Sequence, residues 1–197
     1  MKKGKIILLN GTGSAGKSTL AKTLQARLAD PFYHLSVDGI FCIWPEKFIQ
    51  TDPARTVSTA LTALNHTIKT YSDIGINVIA DYVFLDGDGK DYTATGLKLD
   101  NMEECVYLLR GHEVLFVRVI CPSDELKRRE KERGDRPIGN AEKMLSQLCP
   151  KDTYDITVDT FKNTKDECAD MIIALLDKPE KHTAFKILWE QRVSLKI

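Results

Sequence analysis

No run of this sequence approaches the roughly 20 consecutive apolar residues of a membrane-spanning helix, so no membrane partner is expected. The start, Met1–Asn10, is basic and then apolar, but its apolar core Ile6-Ile7-Leu8-Leu9 leads straight into a glycine-rich turn, which reads as a strand and not a secretory leader. Net charge is missing as well. The 28 Lys and Arg offset 28 Asp and Glu, leaving no overall field to draw the chain to nucleic acid. Cys42, Cys105, Cys121, Cys149 and Cys168 contain no CxxC pair, which disfavours a zinc site or a disulfide framework and points to reduced, buried thiols in the cytoplasm. His34, His66, His112 and His182 share no metal-ligand spacing and are given no role. No repeat, low-complexity tract or Gly/Ser/Pro linker divides the chain. Residues 1–180 therefore read as one domain. Phe185, Leu188, Trp189 and Val193 recur at helical spacing, so 181–197 reads as a helical extension packed on that domain.

What is present is an alternation. Apolar runs at Lys5–Asn10, Tyr33–Val37, Ile76–Asp81, Glu113–Ile120 and Asp155–Asp159 read as strands, several without polar alternation, as in parallel sheets covered on both faces. Between them Leu20, Leu24 and Leu28, then Val57, Leu61, Leu64, Ile68 and Tyr71, then Cys168, Met171, Ile172, Leu175 and Leu176 form helical stripes. This predicts a doubly wound α/β fold with a five-stranded parallel sheet between helices.

Gly11-Thr12-Gly13-Ser14-Ala15-Gly16-Lys17-Ser18, followed by Thr19, fits G-x-x-x-x-G-K-[ST] between the first strand and the first helix. Such a loop aims backbone amides and a helix N-terminus at phosphates; Lys17, expected to stand exposed at the crevice, reaches the β- and γ-phosphates, and the Ser18 hydroxyl can ligate Mg²⁺. The same letters contain G-x-G-x-x-G, and Asp38 lies where a dinucleotide fold places a ribose-binding acid. Lys17-Ser18 favours the phosphate loop, because a dinucleotide turn has no use for them.

Asp81 ends an apolar strand, where an acid can hold Mg²⁺ or simply form a turn. Asp38 follows the second strand. In a doubly wound sheet it faces the same crevice, where a carboxylate can take the proton of an acceptor hydroxyl, or merely cap a helix. The stretch Ile40–Pro45 after it can line an apolar acceptor pocket or pack as core. Residues 127–142 resemble a small lid: Lys127–Lys131 reads as a solvated face, whereas Arg133 and Arg136 flank Gly134 ahead of Pro137 and Gly139, placed to close on a transferring phosphoryl group. Asp86–Asp91 fails the calcium-loop pattern and reads as a loop near the crevice.

The order of Gly-Thr-Gly-Ser-Ala-Gly-Lys-Ser, Val37-Asp38, Asp81–Leu85, Arg133-Gly134-Asp135-Arg136 with Gly139, and Tyr154–Thr160 resembles the chloramphenicol phosphotransferase family. The resemblance implies a P-loop kinase fold, ATP as donor, transfer of the γ-phosphate to a small-molecule hydroxyl, Asp38 as base and Arg133 and Arg136 as lid arginines. It brings antibiotic resistance into view as a role. Tyr82 stands where that pattern places a second acid, and 41–55 and the tail beyond Lys181 differ, so the donor side carries over more closely than the acceptor side. A nucleoside, nucleotide or metabolite kinase is the nearest alternative. A nucleotide-dependent switch is another, disfavoured because a switch needs no acceptor base.

Overall fold

The computed structural model describes residues 2–87, 95, 97–134 and 138–197, with the side chains of 48–50 left aside. Five strands form one parallel sheet: β1 Ile6–Asn10, β2 Phe32–Ser36, β3 Asn77–Tyr82, β4 Val114–Ile120 and β5 Ile156–Asp159, in the order β2-β3-β1-β4-β5. Each lies within a residue of its expected position. The one consequential shift is at β2, which ends at Ser36, so that Val37 opens a helix.

Helices α1 Lys17–Arg27, α2 Val37–Phe41, α3 Glu46–Thr51, α4 Pro53–Asp73, α5 Asn101–Leu109, α6 Ser123–Arg133, α7 Asn140–Leu145, α8 Lys165–Leu176 and α9 Ala184–Leu188 surround the sheet. Local chemistry sets several starts. Asp52 caps α4 ahead of Pro53, and Asp100/Glu103 and Thr164/Glu167 close capping boxes on α5 and α8. On one face Ile6, Leu8, Val78, Ala80, Val114 and Phe116 meet α4 and α5; on the other Ile7, Leu9, Ile79, Leu115, Val117 and Val119 meet α1, α6 and α8. Burial on both faces is why the strands lack polar alternation.

Phe185, Leu188 and Val193 of the tail belong to the first of these clusters, with Phe185 edge-on to Phe116 at 5.2 Å. Arg192 and Lys196 reach Glu103, itself 1 % exposed, at 3.5 and 2.6 Å. Four of the five cysteines are buried, as expected; Cys42 is exposed. No helix among the described residues is long and apolar enough to cross a membrane.

The strand order rules on the dinucleotide alternative. That fold sets β2 beside β1. Here β3 lies between them, so Asp38 does not follow the strand next to the glycine loop.

Candidate active site

The loop after β1 turns sharply because its backbone changes hand twice, at Ser14 (φ 59°) and Gly16 (φ 91°), which makes an anion-binding concavity. A Cβ at Gly11 would sit 2.3 Å from the Val119 carbonyl oxygen, so only glycine lets the loop leave β1 against β4. Ser14 Oγ is buried with no protein partner, a polar atom that a phosphate oxygen would satisfy. Lys17 departs from expectation. It is 8 % exposed and its Nζ donates to the Gly11 and Thr12 carbonyls at 2.8 Å each, bracing the loop.

Ser18 Oγ donates to Asp81 Oδ2 at 3.0 Å, and His34 Nε2 lies 2.9 Å from the same oxygen. Burial pushes the Asp81 carboxyl up, but the His34 hydrogen bond, the Lys17 charge and the Ser18 hydroxyl outweigh it and hold it below its ordinary value. Asp81 is thus a carboxylate, and Ser18, donating its proton, keeps its oxygen lone pairs for a cation. That donor set fits Mg²⁺.

Both sides of the chemistry open into one cavity of about 810 Å³. Gly13, Ser14, Gly16–Thr19, Arg129, Arg133 and Thr160 line its donor part; Val37, Asp38, Phe41, Val57, Leu61, Tyr82, Val83 and Leu85 also line it. Asp38 is exposed, in the first turn of α2. It does not cap that helix: Ser36 does, accepting from the Gly39 amide at 3.1 Å. Phe41, from the aromatic stretch after Asp38, is part of the wall. Tyr82, 1 % exposed, stacks on Phe84 and donates to Asn65 Oδ1 at 2.8 Å, giving the pocket a firm aromatic floor where an acid stood as the expectation.

The segment after β4 corrects the reading of Lys127–Lys131 as a solvated face. Arg129 turns inward, its guanidinium donating to Thr160 Oγ1 at 3.1 Å, the Thr160 carbonyl at 3.0 Å and the Ser14 carbonyl at 3.4 Å, while Nε holds Glu125 at 2.8 Å. Thr160 Oγ1 in turn lies 2.8 Å from the Ala15 carbonyl. Glu130 is buried and accepts from the Gly139 and Ala141 amides at 2.7 Å, pinning the start of α7. Gly134 (φ 68°) stops α6 just after Arg133, whose side chain borders the cavity. Arg136 lies outside the described residues, as does most of the 86–91 loop.

Gly11, Thr12 and Ala15 support the loop from behind; every other predicted site residue that is described borders the cavity. Sequence reasoning missed His34, Arg129 and Thr160. For Arg129 a signal existed: Leu126 marks the inner face of α6, and Arg129, Glu130 and Arg133 follow at +3, +4 and +7.

A family model for chloramphenicol phosphotransferase-like proteins matches residues 4–177. A candidate O-phosphotransferase of Mycobacterium tuberculosis is 28 % identical, over 86 % of this chain and 80 % of its own length. Among solved structures, the APS kinase of M. tuberculosis in complex with AMPPNP and APS superposes with a TM-score of 0.62 at 17 % identity, over 90 % of this chain and 99 % of its own. The shikimate kinase of Acinetobacter baumannii in complex with shikimate does so with 0.61 at 16 %, over 90 % and 95 %. At such identities these structures speak for the fold.

Proposed function

Because the chain belongs to the chloramphenicol phosphotransferase-like family and is an ATP-dependent kinase, we propose that it moves the γ-phosphate of ATP onto a hydroxyl of a small molecule whose body is uncharged and largely apolar. One observation carries this reading: the phosphate loop and Asp38 share a single cavity whose lining includes the apolar and aromatic side chains of Val37, Phe41, Val57, Leu61, Tyr82, Val83 and Leu85, besides the charged Arg129, Glu132, Arg133 and Lys165. A phosphate, sulfate or carboxylate seated against those apolar side chains, away from Arg129, Arg133 and Lys165, would be left desolvated. The apolar part of the lining supports a hydroxylated antibiotic as acceptor over a nucleotide.

Each residue then has a task. The loop from Gly11 to Thr19 holds the triphosphate through its amides and the N-terminus of α1. Lys17 moves from the loop carbonyls to the phosphate oxygens, which are stronger partners for an ammonium group. Ser18 and Asp81 hold Mg²⁺, which when bound neutralises charge on the transferring group. Arg133, with Arg136 from the same lid, spreads the charge that develops as the bond to ADP breaks. Asp38 accepts the acceptor's hydroxyl proton as its oxygen attacks. The cytoplasm, where ATP is plentiful, is the compartment this chemistry needs.

The test is an ATP-consumption screen over hydroxylated antibiotics, nucleosides, nucleotides and sugars, with mass-spectrometric detection of a phosphorylated product. Turnover confined to anionic acceptors would refute the apolar-acceptor reading. An ATPase rate that no acceptor raises would favour a nucleotide switch.

A further inference from the structure

His34 lies on an edge strand and matches no motif, yet its imidazole ends at the centre of the site. Within β2 the side chains alternate: Phe32 packs into the α1-side cluster, Leu35 packs into the α4-side cluster, and His34 therefore shares the α1 face with Phe32. In β3, Ile79 lies in the α1-side cluster and Asp81, two residues on, projects to the same face. Because β2 pairs with β3 in register His34↔Ile79 and Ser36↔Asp81, the imidazole leans along the strand onto the carboxylate. Nε2 sits 2.9 Å from Oδ2, the oxygen that also receives the Ser18 hydroxyl at 3.0 Å.

We propose that His34 is a positioning residue that fixes the orientation of the Asp81 carboxylate, and through it the affinity of the site for Mg²⁺. The inference rests on the kinase reading above. Asp81 has a competing partner in the Lys17 charge, which pulls on it across the site. Two hydrogen bonds to one oxygen, from opposite neighbours on α1 and β2, stop the group from rotating toward that ammonium and keep its second oxygen for the cation or its waters. Partners that orient a ligating carboxylate in this way typically govern metal affinity by about 10–100-fold. The fold alone has no need of an imidazole here. Its side chain is 17 % exposed on an edge strand, where an apolar residue would serve the packing.

The experiment is calorimetric binding of AMPPNP to the full chain across a Mg²⁺ series and in EDTA, with melting temperature recorded for every variant. In the parent, Mg²⁺ should tighten binding. His34→Ala should shift the Mg²⁺ midpoint upward by about tenfold or more, with the EDTA affinity unchanged. His34→Gln, whose amide nitrogen stands in for Nε2, should restore the parent midpoint; His34→Asn, whose amide stands in for Nδ1, should not. If His34→Ala does not fold, the Gln and Asn variants decide by the same readout. A parent-like midpoint in His34→Ala, or a loss of stability alone, overturns the proposal while leaving the kinase reading intact. A parent that binds no nucleotide overturns both.

Discussion

Asp38→Asn separates chemistry from architecture at the residue proposed as base. The substitution preserves size and hydrogen bonding and removes the ability to take a proton. Loss of a general base costs about 10²–10⁴ in kcat, or roughly 3–5 kcal/mol of transition-state stabilisation. The structural cost is much smaller. Asp38 is exposed and Ser36 is the residue that caps α2, so the substitution removes a favourable charge in the first turn of a five-residue helix and leaves an amide that can still hydrogen-bond. That is worth about 0.3–1 kcal/mol, or less than about 4 °C in melting temperature for a chain of this size. Nothing in the Ser18–Asp81–His34 cluster is disturbed, so Mg-ATP affinity should hold. With an acceptor in hand, a thermal melt, nucleotide calorimetry and steady-state turnover on this variant give three numbers. Turnover within a few-fold of the parent would show that Asp38 is not the base, whatever the other two numbers. A melting temperature that falls by far more than about 4 °C would mean that the carboxylate is structural in a way its exposure does not suggest.

Lys17→Ala should abolish transfer and, since Lys17 Nζ also braces two loop carbonyls, lower stability by about 1–2 kcal/mol; a folded variant with near-normal turnover would remove the phosphate loop from the mechanism. Arg133→Ala should cut kcat by on the order of 10³ with ATP affinity nearly retained, whereas Arg129→Ala, which unties Ser14 from Thr160, should weaken ATP binding and lower the melting temperature first. The reverse pattern would exchange their roles. Hydrogen bonds from Arg128 and Arg129 hold the Glu125 carboxyl down to about 2, so its stabilising contribution is complete above the ordinary carboxyl range and is lost as pH falls toward 2. The melting-temperature gap between the parent and Glu125→Gln should therefore be constant from pH 7 to about 5, then close on acidification; a gap that widened on acidification would contradict this sign.

Much of this protein was legible in one dimension because the signals involved are local. Continuous apolar runs mark strands buried on both faces, and Gly11–Ser18 must form its turn wherever the strand and helix around it form. Hence the five parallel strands, the cradle and the crevice position of Asp38 and Asp81 could all be read without coordinates. What could not be read depends on which elements lie side by side. The order β2-β3-β1-β4-β5 inserts β3 beside the phosphate loop; this removes the dinucleotide alternative and, in the same step, brings His34 onto Asp81, 47 positions away in sequence. Charge pattern misled for a similar reason. Lys127–Lys131 looks solvated as a string of ions, but Arg129 and Glu130 face inward because their partners, Thr160 and the amides of Gly139 and Ala141, arrive from other parts of the chain. Lys17 was expected to stand exposed in the crevice; it does line the cavity, but it is buried with its ammonium folded onto its own loop, since the loop carbonyls compete for a group that sequence alone assigns to a phosphate. Local periodicity thus determines the elements, whereas hydrogen-bond partners across long separations exist only once the sheet has chosen its neighbours.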